Sequence, residues 1–291
     1  MTSRIKTLIV ATLDIYMRRR DFIKFLTATP LGRLVAGVAA ASISAALIYL
    51  DTAQRDVRKA ARGGLYEVLL PFPRLRGSIS LEEALANRRS VREFSDDPIT
   101  LEELGQLLWA TYGISEVRHG FRTAPSAGAL YPLEIYAVVG ERGVAYGGGF
   151  LEAGVYHYDV YRHSLVLRRR GDFREALYRA ALEQDWVLAA PLSIVIAAVY
   201  QRTARVYGER GRVRYVPMDV GHAGQNLYLQ AVALGLGTVA VGAFDDGAVA
   251  EALGLPPEET PLYIMPVGRP RVPYRLEEED LRAFYSARRS S

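Results

Sequence analysis

The spacing of apolar positions predicts a chain in which helices and strands mix without regular alternation. Helices are expected from Ser80 to about Arg89, from Thr100 to Gly113, from Asp172 to Gln184, from an Asp219 cap through 220–234, and near 246–254. Strands are expected at 133–140, in a hairpin over 155–168, and at 191–199, 238–244 and 262–268. This mixture favours an α+β fold with a mainly antiparallel sheet flanked by helices.

A long apolar run precedes this region. Residues 34–50 carry no charged side chain and would be apolar on every face of a helix. Residues 18–26, RRRDFIKFL, pair two arginines with Phe-Ile-Lys before that run, which resembles a twin-arginine export signal. No small-x-small cleavage site follows Leu50, so an uncleaved anchor is expected, with residues 51–291 on the extracytoplasmic side of the membrane. The alternative is an amphipathic helix with chance arginines on a cytoplasmic protein.

Four parts are expected from these patterns. Residues 1–50 form the signal or membrane anchor, and residues 51–79, which contain Gly63-Gly64 and Pro71-Phe72-Pro73, form a connector. Residues 80–275 form the main domain, and residues 276–291 form a C-terminal helix or tail.

The charge distribution excludes several classes of function. Residues 1–50 hold seven Lys and Arg against two Asp, whereas the whole chain has a net charge of only +4, so the remainder is not basic and no nucleic-acid partner is expected. Cysteine is absent, and the four histidines lack metal-ligand spacing, so no metal site is expected. No phosphate-binding glycine loop or hydrolase serine elbow is found.

Residues 87–98, NRRSVREFSDDP, place three arginines within five positions. Arg88 and Arg89 end a predicted helix, where cations offset the helix dipole by about 0.3–1 kcal/mol, and this alone explains them. Arg92 lies beyond the helix. In an extended chain Arg88, Ser90 and Arg92 would point to one side, and two guanidinium groups with a hydroxyl suit a phosphate.

Three further segments place small or cationic residues beside buried strands. RTAPSAGALYP (122–132) carries Ser126 among small side chains, which fits either tight loop packing or a flat ligand close to the backbone. Gly242 interrupts an apolar strand, which is typical of a bulge or a close ligand. In VGRP (267–270) an arginine directly follows a buried strand.

The order of these segments resembles the nitroreductase superfamily of flavoproteins, most closely its SagB-like branch of azoline dehydrogenases. The resemblance covers about residues 65–275. It is carried by RRSVREF, LEELGQLLWATYGI, RTAPSAGALYPLEIYAVV, DVGHAGQNLYLQAVALGLGTVAVGAF and VGRP. It implies a non-covalently bound FMN, a nitroreductase-like α+β fold and a homodimer with flavin sites at the subunit interface.

The resemblance also implies which residues contact the flavin. Arg88, Ser90 and Arg92 are expected at the phosphate and the pyrimidine side of the flavin, and Pro125, Ser126 and Ala127 along its isoalloxazine ring. Gly242 and Ala243 are expected near N5. Gly268 and Arg269 are expected at the phosphate.

The function implied is that of an FMN-dependent oxidoreductase with ping-pong turnover through flavin N5. Its partners would be a small-molecule or peptide substrate and NAD(P)H or another electron donor. Azoline-oxidising members carry a Lys-Tyr pair ahead of a YGxRGxRY-like segment, and here Val206 stands at the lysine position. Azoline oxidation is therefore not expected, which leaves Tyr207, with Arg205, as the candidate for proton transfer. The alternatives are a non-catalytic flavin- or partner-binding protein on the same fold, and a structural membrane protein whose basic leader binds anionic lipid.

Overall fold

The computed structural model describes residues 66–289 of the chain. The strands are β1 Glu67–Leu69, β2 Ile99–Thr100, β3 Ile114–Glu116, β4 Phe121–Arg122, β5 Leu133–Val139, β6 Val144–Tyr146, β7 Gly149–Phe150, β8 Gly154–Asp159, β9 Ser164–Arg170, β10 Leu192–Ala198, β11 Gly237–Thr238 and β12 Thr260–Gly268. The helices are α1 Leu81–Asn87, α2 Leu101–Tyr112, α3 Arg174–Ala180, α4 Asp185–Ala189, α5 Tyr200–Arg210, α6 Val216–Ala233, α7 Asp246–Leu253 and α8 Glu278–Arg289. A π-helical turn, Gly211–Tyr215, connects α5 to α6.

A seven-stranded sheet forms the centre of this region, in the order β1-β9-β8-β5-β10-β12-β11. Every neighbouring pair in it is antiparallel. Alternate residues of β5 enter two different cores: Ile135 packs in the cluster that includes α2 and α6, and Val138 packs in the cluster that includes α3 and α7. Helices therefore cover both faces of the sheet, which confirms the predicted α+β fold with a mainly antiparallel sheet and explains the apolar runs in the central strands.

Several predicted elements are confirmed. Thr100 and Glu103 form a complete capping box at the start of α2, and Gly113 ends that helix. Ser80 begins α1 by accepting a hydrogen bond from the Glu83 N–H at 3.0 Å. The hairpin over 155–168 is the β8–β9 pair.

Three predicted elements are wrong in detail. The helix expected over 172–184 is interrupted, because Leu182 and Glu183 adopt left-handed φ angles of 55° and 56° between α3 and α4. The strand expected over 238–244 shrinks to β11 plus an isolated bridge between Val241 and Ile264. Asp219 does not cap a helix, since α6 already begins at Val216.

The predicted signal or anchor at 1–50 lies outside the described residues, as does most of the connector. Within residues 66–289, none of the helices combines the length and the apolar character that crossing a bilayer requires. The described end of the connector contributes β1 to the sheet edge beside β9, and the predicted C-terminal helix is α8.

Candidate functional site

The segment 88–92 is extended because it lies alongside β11. Ser90 pairs with Thr238 in a parallel bridge, and the Val91 N–H donates to the Thr238 carbonyl at 2.9 Å. Gly237 makes this approach feasible, because a Cβ at that position would lie 2.6 Å from Cγ2 of Val91. The tertiary contact with β11 therefore sets the extended conformation that the alternation of Arg88, Ser90 and Arg92 requires.

Tyr228 of α6 connects this segment to the chain beyond β11. Its hydroxyl accepts the Ala240 N–H at 2.7 Å and lies 3.0 Å from Ser90 Oγ. The Arg88 guanidinium lies 5.2 Å from the centre of the Tyr228 ring. The Tyr228 hydroxyl can donate its own proton to Ser90 Oγ. The Ser90 hydroxyl proton can then be donated to a ligand.

Arg92 extends the same group of residues toward α4. Its guanidinium lies 5.2 Å from the ring centre of Trp186, and Gln184, just before that helix, donates to the Ala243 carbonyl at 2.9 Å. We call Arg88, Ser90, Arg92, Trp186 and Tyr228 the cationic cluster. Gly242 and Ala243, the predicted N5 contacts, are exposed beside it.

Residues 125–127, predicted to line the isoalloxazine ring and here called the ring-side segment, are held away from the cationic cluster by a buried carboxylate. Ser126 Oγ donates to Asp219 Oδ2 at 2.6 Å and accepts the Tyr131 N–H at 3.0 Å. Asp219 is only 2% exposed, and this burial raises the pKa of its carboxyl above the ordinary value, while the bonds from Ser126 and the Ala127 N–H oppose the shift. Pro125 is exposed in the same segment, and Ala127 is half-buried.

The backbone of that segment is unusual. Gly128, Ala129 and Tyr131 have φ angles of 62°, 54° and 47°, in the left-handed region that disfavours residues with a Cβ. Such conformations persist only where surrounding contacts impose them, and the Ser126–Asp219 bond is one such contact.

Tyr207 lies directly over this strained turn. A Cβ at Gly128 would lie 2.8 Å from the Tyr207 hydroxyl oxygen, so the glycine leaves room for the phenol. The Tyr207 ring meets Tyr215 edge-on, with centroids 5.0 Å apart. Val206, at the position where a lysine was expected, is 60% exposed and has no proton to exchange.

The two groups of residues contact opposite faces of α6. Asp219 and Tyr228 are nine positions apart, which corresponds to about 13 Å along a helix and about half a turn around it. The cationic cluster and the ring-side segment therefore lie on different sides of this helix.

Gly268 and Arg269 pack against the C-terminal end of the segment 88–95. A Cβ at Gly268 would come within 2.9 Å of Pro191 and 3.0 Å of Phe94, so this glycine is required for packing. The Arg269 guanidinium pairs with the Glu103 carboxylate at 3.1 Å, and its carbonyl accepts the Ser95 N–H. As cofactor contacts both residues stay predictions.

The chemistry of the cationic cluster fits the anionic and carbonyl-rich parts of a flavin mononucleotide. Among residues 66–289, neither Arg88 nor Arg92 forms an ion pair, and the buried Trp186 Nε1–H has no hydrogen-bond partner. These groups are donors, and none of the five residues is acidic. A cavity of about 650 Å³ opens beside Ser90 and Arg92, which is within the usual range of about 300–1,000 Å³ for small-molecule sites.

Two residues of the site were missed from the sequence. The sequence pattern predicts a helix cap at Asp219 and an apolar helix around Tyr228, and it does not indicate that either residue belongs to a site. A polar residue on the otherwise apolar face of a long helix was the available signal, because such a residue needs a partner when buried.

A family model described as the nitroreductase family matches residues 85–269. A Methanocaldococcus jannaschii protein named as a candidate nitroreductase is 51% identical over 195 residues, covering 66% of this chain and 91% of that protein. The crystal structure of a candidate nitroreductase from Ralstonia eutropha has a TM-score of 0.61 at 31% identity, covering 71% of this chain and 90% of that one.

The chain also resembles the trifolitoxin-processing protein TfxB of Rhizobium leguminosarum. The two are 31% identical over 121 residues, which span 40% of this chain and only 31% of TfxB. This similarity fits the SagB-like branch that the sequence motifs indicated.

Proposed function

Because this chain belongs to the nitroreductase family of flavin-dependent oxidoreductases, we propose that it binds FMN non-covalently and moves electrons between two substrates in turn. The observation that carries the proposal is the cationic cluster, where Arg88 and Arg92, free of ion pairs within residues 66–289, flank a Ser90 hydroxyl oriented by Tyr228.

Each group of the cluster has a task in this proposal. Arg88 and Arg92 attract the phosphate and the pyrimidine carbonyls, and their charge favours negative charge on the ring. Ser90 donates its proton to the cofactor while Tyr228 keeps the hydroxyl in position. The exposed backbone at Gly242 and Ala243 offers N–H groups to the ring edge. Bound FMN would supply the electron transfer itself, by accepting and returning a hydride at N5.

The proposed enzyme is a homodimer in which each flavin contacts two chains. The position of Ser126 and Ser90 on opposite faces of α6 supports this, because a second copy would bring its ring-side segment to each cationic cluster. In this arrangement Pro125, Ser126 and Ala127 of one chain line the ring held by the cationic cluster of the other.

Tyr207 is the group we assign to proton transfer. Its contact with the turn at Gly128 supports a position next to substrate on the ring. Because Val206 replaces the expected lysine, the proposed reaction is not azoline oxidation. The substrate is a small molecule or a peptide, with NAD(P)H or another reductant as donor. The similarity to TfxB, a processing protein by name, supports the peptide.

The proposal is tested by rapid mixing of the purified protein with NADPH or NADH. Bleaching of the flavin band, followed by its return on addition of a quinone or nitroaromatic acceptor, is expected. A flavin that dithionite reduces but no acceptor reoxidises would instead support the non-catalytic alternative, which the missing lysine favours.

The twin-arginine-like leader supports an extracytoplasmic, membrane-attached location for this enzyme. Recovery of all full-length protein in the cytosolic fraction would contradict that part of the proposal.

A further inference from the structure

A helical hairpin beside the ring-side segment is strongly cationic. Residues 200–215, here called the arginine hairpin, contain five arginines and one acid, Glu209, whereas residues 66–289 as a whole carry 25 arginines and 28 acidic residues. The hairpin therefore concentrates positive charge on a region that is otherwise slightly acidic. Such a concentration attracts anionic ligands and sets the orientation in which they approach.

Local geometry forms this hairpin. Gly208, with φ 58° and ψ −144°, interrupts α5, so that the chain turns back on itself before the π-helical turn. Gly211 then packs on Thr203, because a Cβ there would lie 3.0 Å from the Thr203 carbonyl oxygen. The turn places Val206, Tyr207 and the arginines that flank them at an exposed tip.

The five arginines differ in whether they pair with an acidic side chain. Arg202 pairs with Glu134, and Arg212 lies 3.7 Å from Glu209. Arg210 contacts only a neutral group, donating to the Tyr215 hydroxyl at 2.9 Å. Arg205 and Arg214 are exposed and have no ion pair or hydrogen bond from their side chains within the described part of the chain.

Exposed apolar side chains alternate with these cations. Val206 and Val213 are 60% and 65% exposed, and Met218 follows at the start of α6 at 47%. A free anion or a phosphate gains nothing from such groups, whereas a peptide with acidic and apolar side chains can use both.

We infer that the arginine hairpin binds an acidic, partly apolar peptide segment and presents it to the ring-side segment. Resting on the proposed function, this inference names the substrate class: a peptide with carboxylates next to its reacting position. The route to the ring runs through Arg210, Tyr215 and Tyr207 to Gly128, each in contact with the next. Arg205 and Arg214 are the specificity-determining residues, with no side-chain partner in the described region to lose on binding.

The test uses the full-length protein and two short fluorescein-labelled peptides, one alternating Glu and Leu and the other alternating Lys and Leu. Fluorescence anisotropy should show binding of the Glu peptide only, weakened by added salt because exposed charges are screened. The double variant R205Q/R214Q should bind it about tenfold more weakly, which corresponds to about 1.4 kcal/mol. The matched control R118Q/R168Q removes two exposed arginines elsewhere and should bind like wild type.

Equal affinity of R205Q/R214Q and wild type, or equal binding of both peptides, would overturn the inference. So would failure of the Glu peptide to bind while vesicles containing phosphatidylglycerol bind through Arg205 and Arg214, because the hairpin would then be a membrane contact. The flavin absorbance of the same samples separates the two proposals. A yellow protein without peptide binding defeats only this inference, and a colourless protein that binds the peptide through these arginines defeats only the flavin assignment.

Discussion

Ser126 and Asp219, 93 positions apart in the sequence, are joined by a hydrogen bond of 2.6 Å between the serine hydroxyl and a buried carboxylate oxygen. This bond attaches the ring-side segment to the first turn of α6, the longest helix among the described residues. The polar residue in an otherwise apolar part of α6 thus has a partner, and the turn that follows Ser126 can keep its left-handed backbone.

Ser126→Ala should therefore destabilise the protein by about 1–3 kcal/mol, because it leaves the Asp219 carboxylate short of a donor in a buried site. Ser193→Ala is the matched control, since Ser193 Oγ is buried but has no hydrogen-bond partner within the described residues. Urea unfolding monitored by circular dichroism measures both. Equal losses in the two variants would show that the bond to Asp219 contributes nothing.

Gly128→Ala should destabilise the protein by more than the cost of placing an alanine in a left-handed backbone conformation, and it should alter the ring-side segment. Gly147 has a similar φ of 57° with nothing within 4 Å of its added Cβ, whereas the Cβ at Gly128 would meet the Tyr207 hydroxyl at 2.8 Å. Gly147→Ala should thus report only the backbone strain of about 1 kcal/mol. The difference in unfolding free energy between the two variants measures the Tyr207 contact.

Combining Gly128→Ala with Tyr207→Phe should recover part of that difference, because the hydroxyl oxygen is the atom that an added Cβ meets. If the double variant is no more stable than Gly128→Ala alone, Tyr207 does not lie over the turn in solution.

Tyr228→Phe should weaken FMN binding about tenfold. The change removes the partner of both Ser90 Oγ and the Ala240 N–H, and a lost hydrogen bond at a site that orients a ligand costs about 1–3 kcal/mol. Tyr161→Phe is the control, since the Tyr161 ring also lies beside an arginine, 5.2 Å from Arg122, its hydroxyl has no hydrogen-bond partner in the described region, and it lies outside the cavity beside Ser90. Flavin fluorescence quenching on titration gives both affinities, and equal weakening would exclude a specific role for the Tyr228 hydroxyl.

The fold was largely predictable because its signals are local. Thr100 and Gly113 mark the ends of α2, and the apolar runs of β5 and β10 identify buried strands. The prediction of one helix over 172–184 is wrong because the chain makes a left-handed turn at Leu182 and Glu183. Neither residue is a glycine, so the sequence does not indicate this turn. The alternation of Arg88, Ser90 and Arg92 was visible in the sequence, although its cause, the pairing with β11, is not local.

The positions of the site residues relative to one another could not be predicted from the motifs. Ser90 and Ser126 contact opposite faces of α6. Which segment packs against each face of this helix is set by the tertiary structure. Arg269 was expected to be free for a phosphate, yet its pairing with Glu103 connects two residues that are 166 positions apart. Contacts at such separations are fixed by tertiary packing, and the sequence pattern around either residue does not contain them.

The stability of the protein should depend on the ionisation of Glu134 below pH 4.5. Burial alone raises the pKa of Glu134, but the hydrogen bond to His157 and the Arg202 guanidinium lower it below its ordinary value of 4.5. A lowered pKa in the folded state stabilises the protein above the unfolded value, and that contribution is lost as the pH falls through the folded pKa.

Glu134→Gln should accordingly be less stable than wild type at pH 7, and the difference should shrink as the pH falls below 4.5. Thermal unfolding across this pH range measures the difference, with the exposed Glu102→Gln as control. A difference that stays constant with pH would mean that the contacts of Glu134 with Arg202 and His157 do not form in solution.

Heating the purified protein and identifying the released cofactor shows whether Arg88, Ser90 and Arg92 hold a flavin. We expect a yellow protein whose supernatant after heating has the absorption spectrum of oxidised flavin and the chromatographic mobility of FMN, with about one flavin per chain. A protein that is colourless as purified, and stays colourless after incubation with FMN and removal of the excess, would contradict the assignment of Arg88, Ser90 and Arg92 as a flavin site.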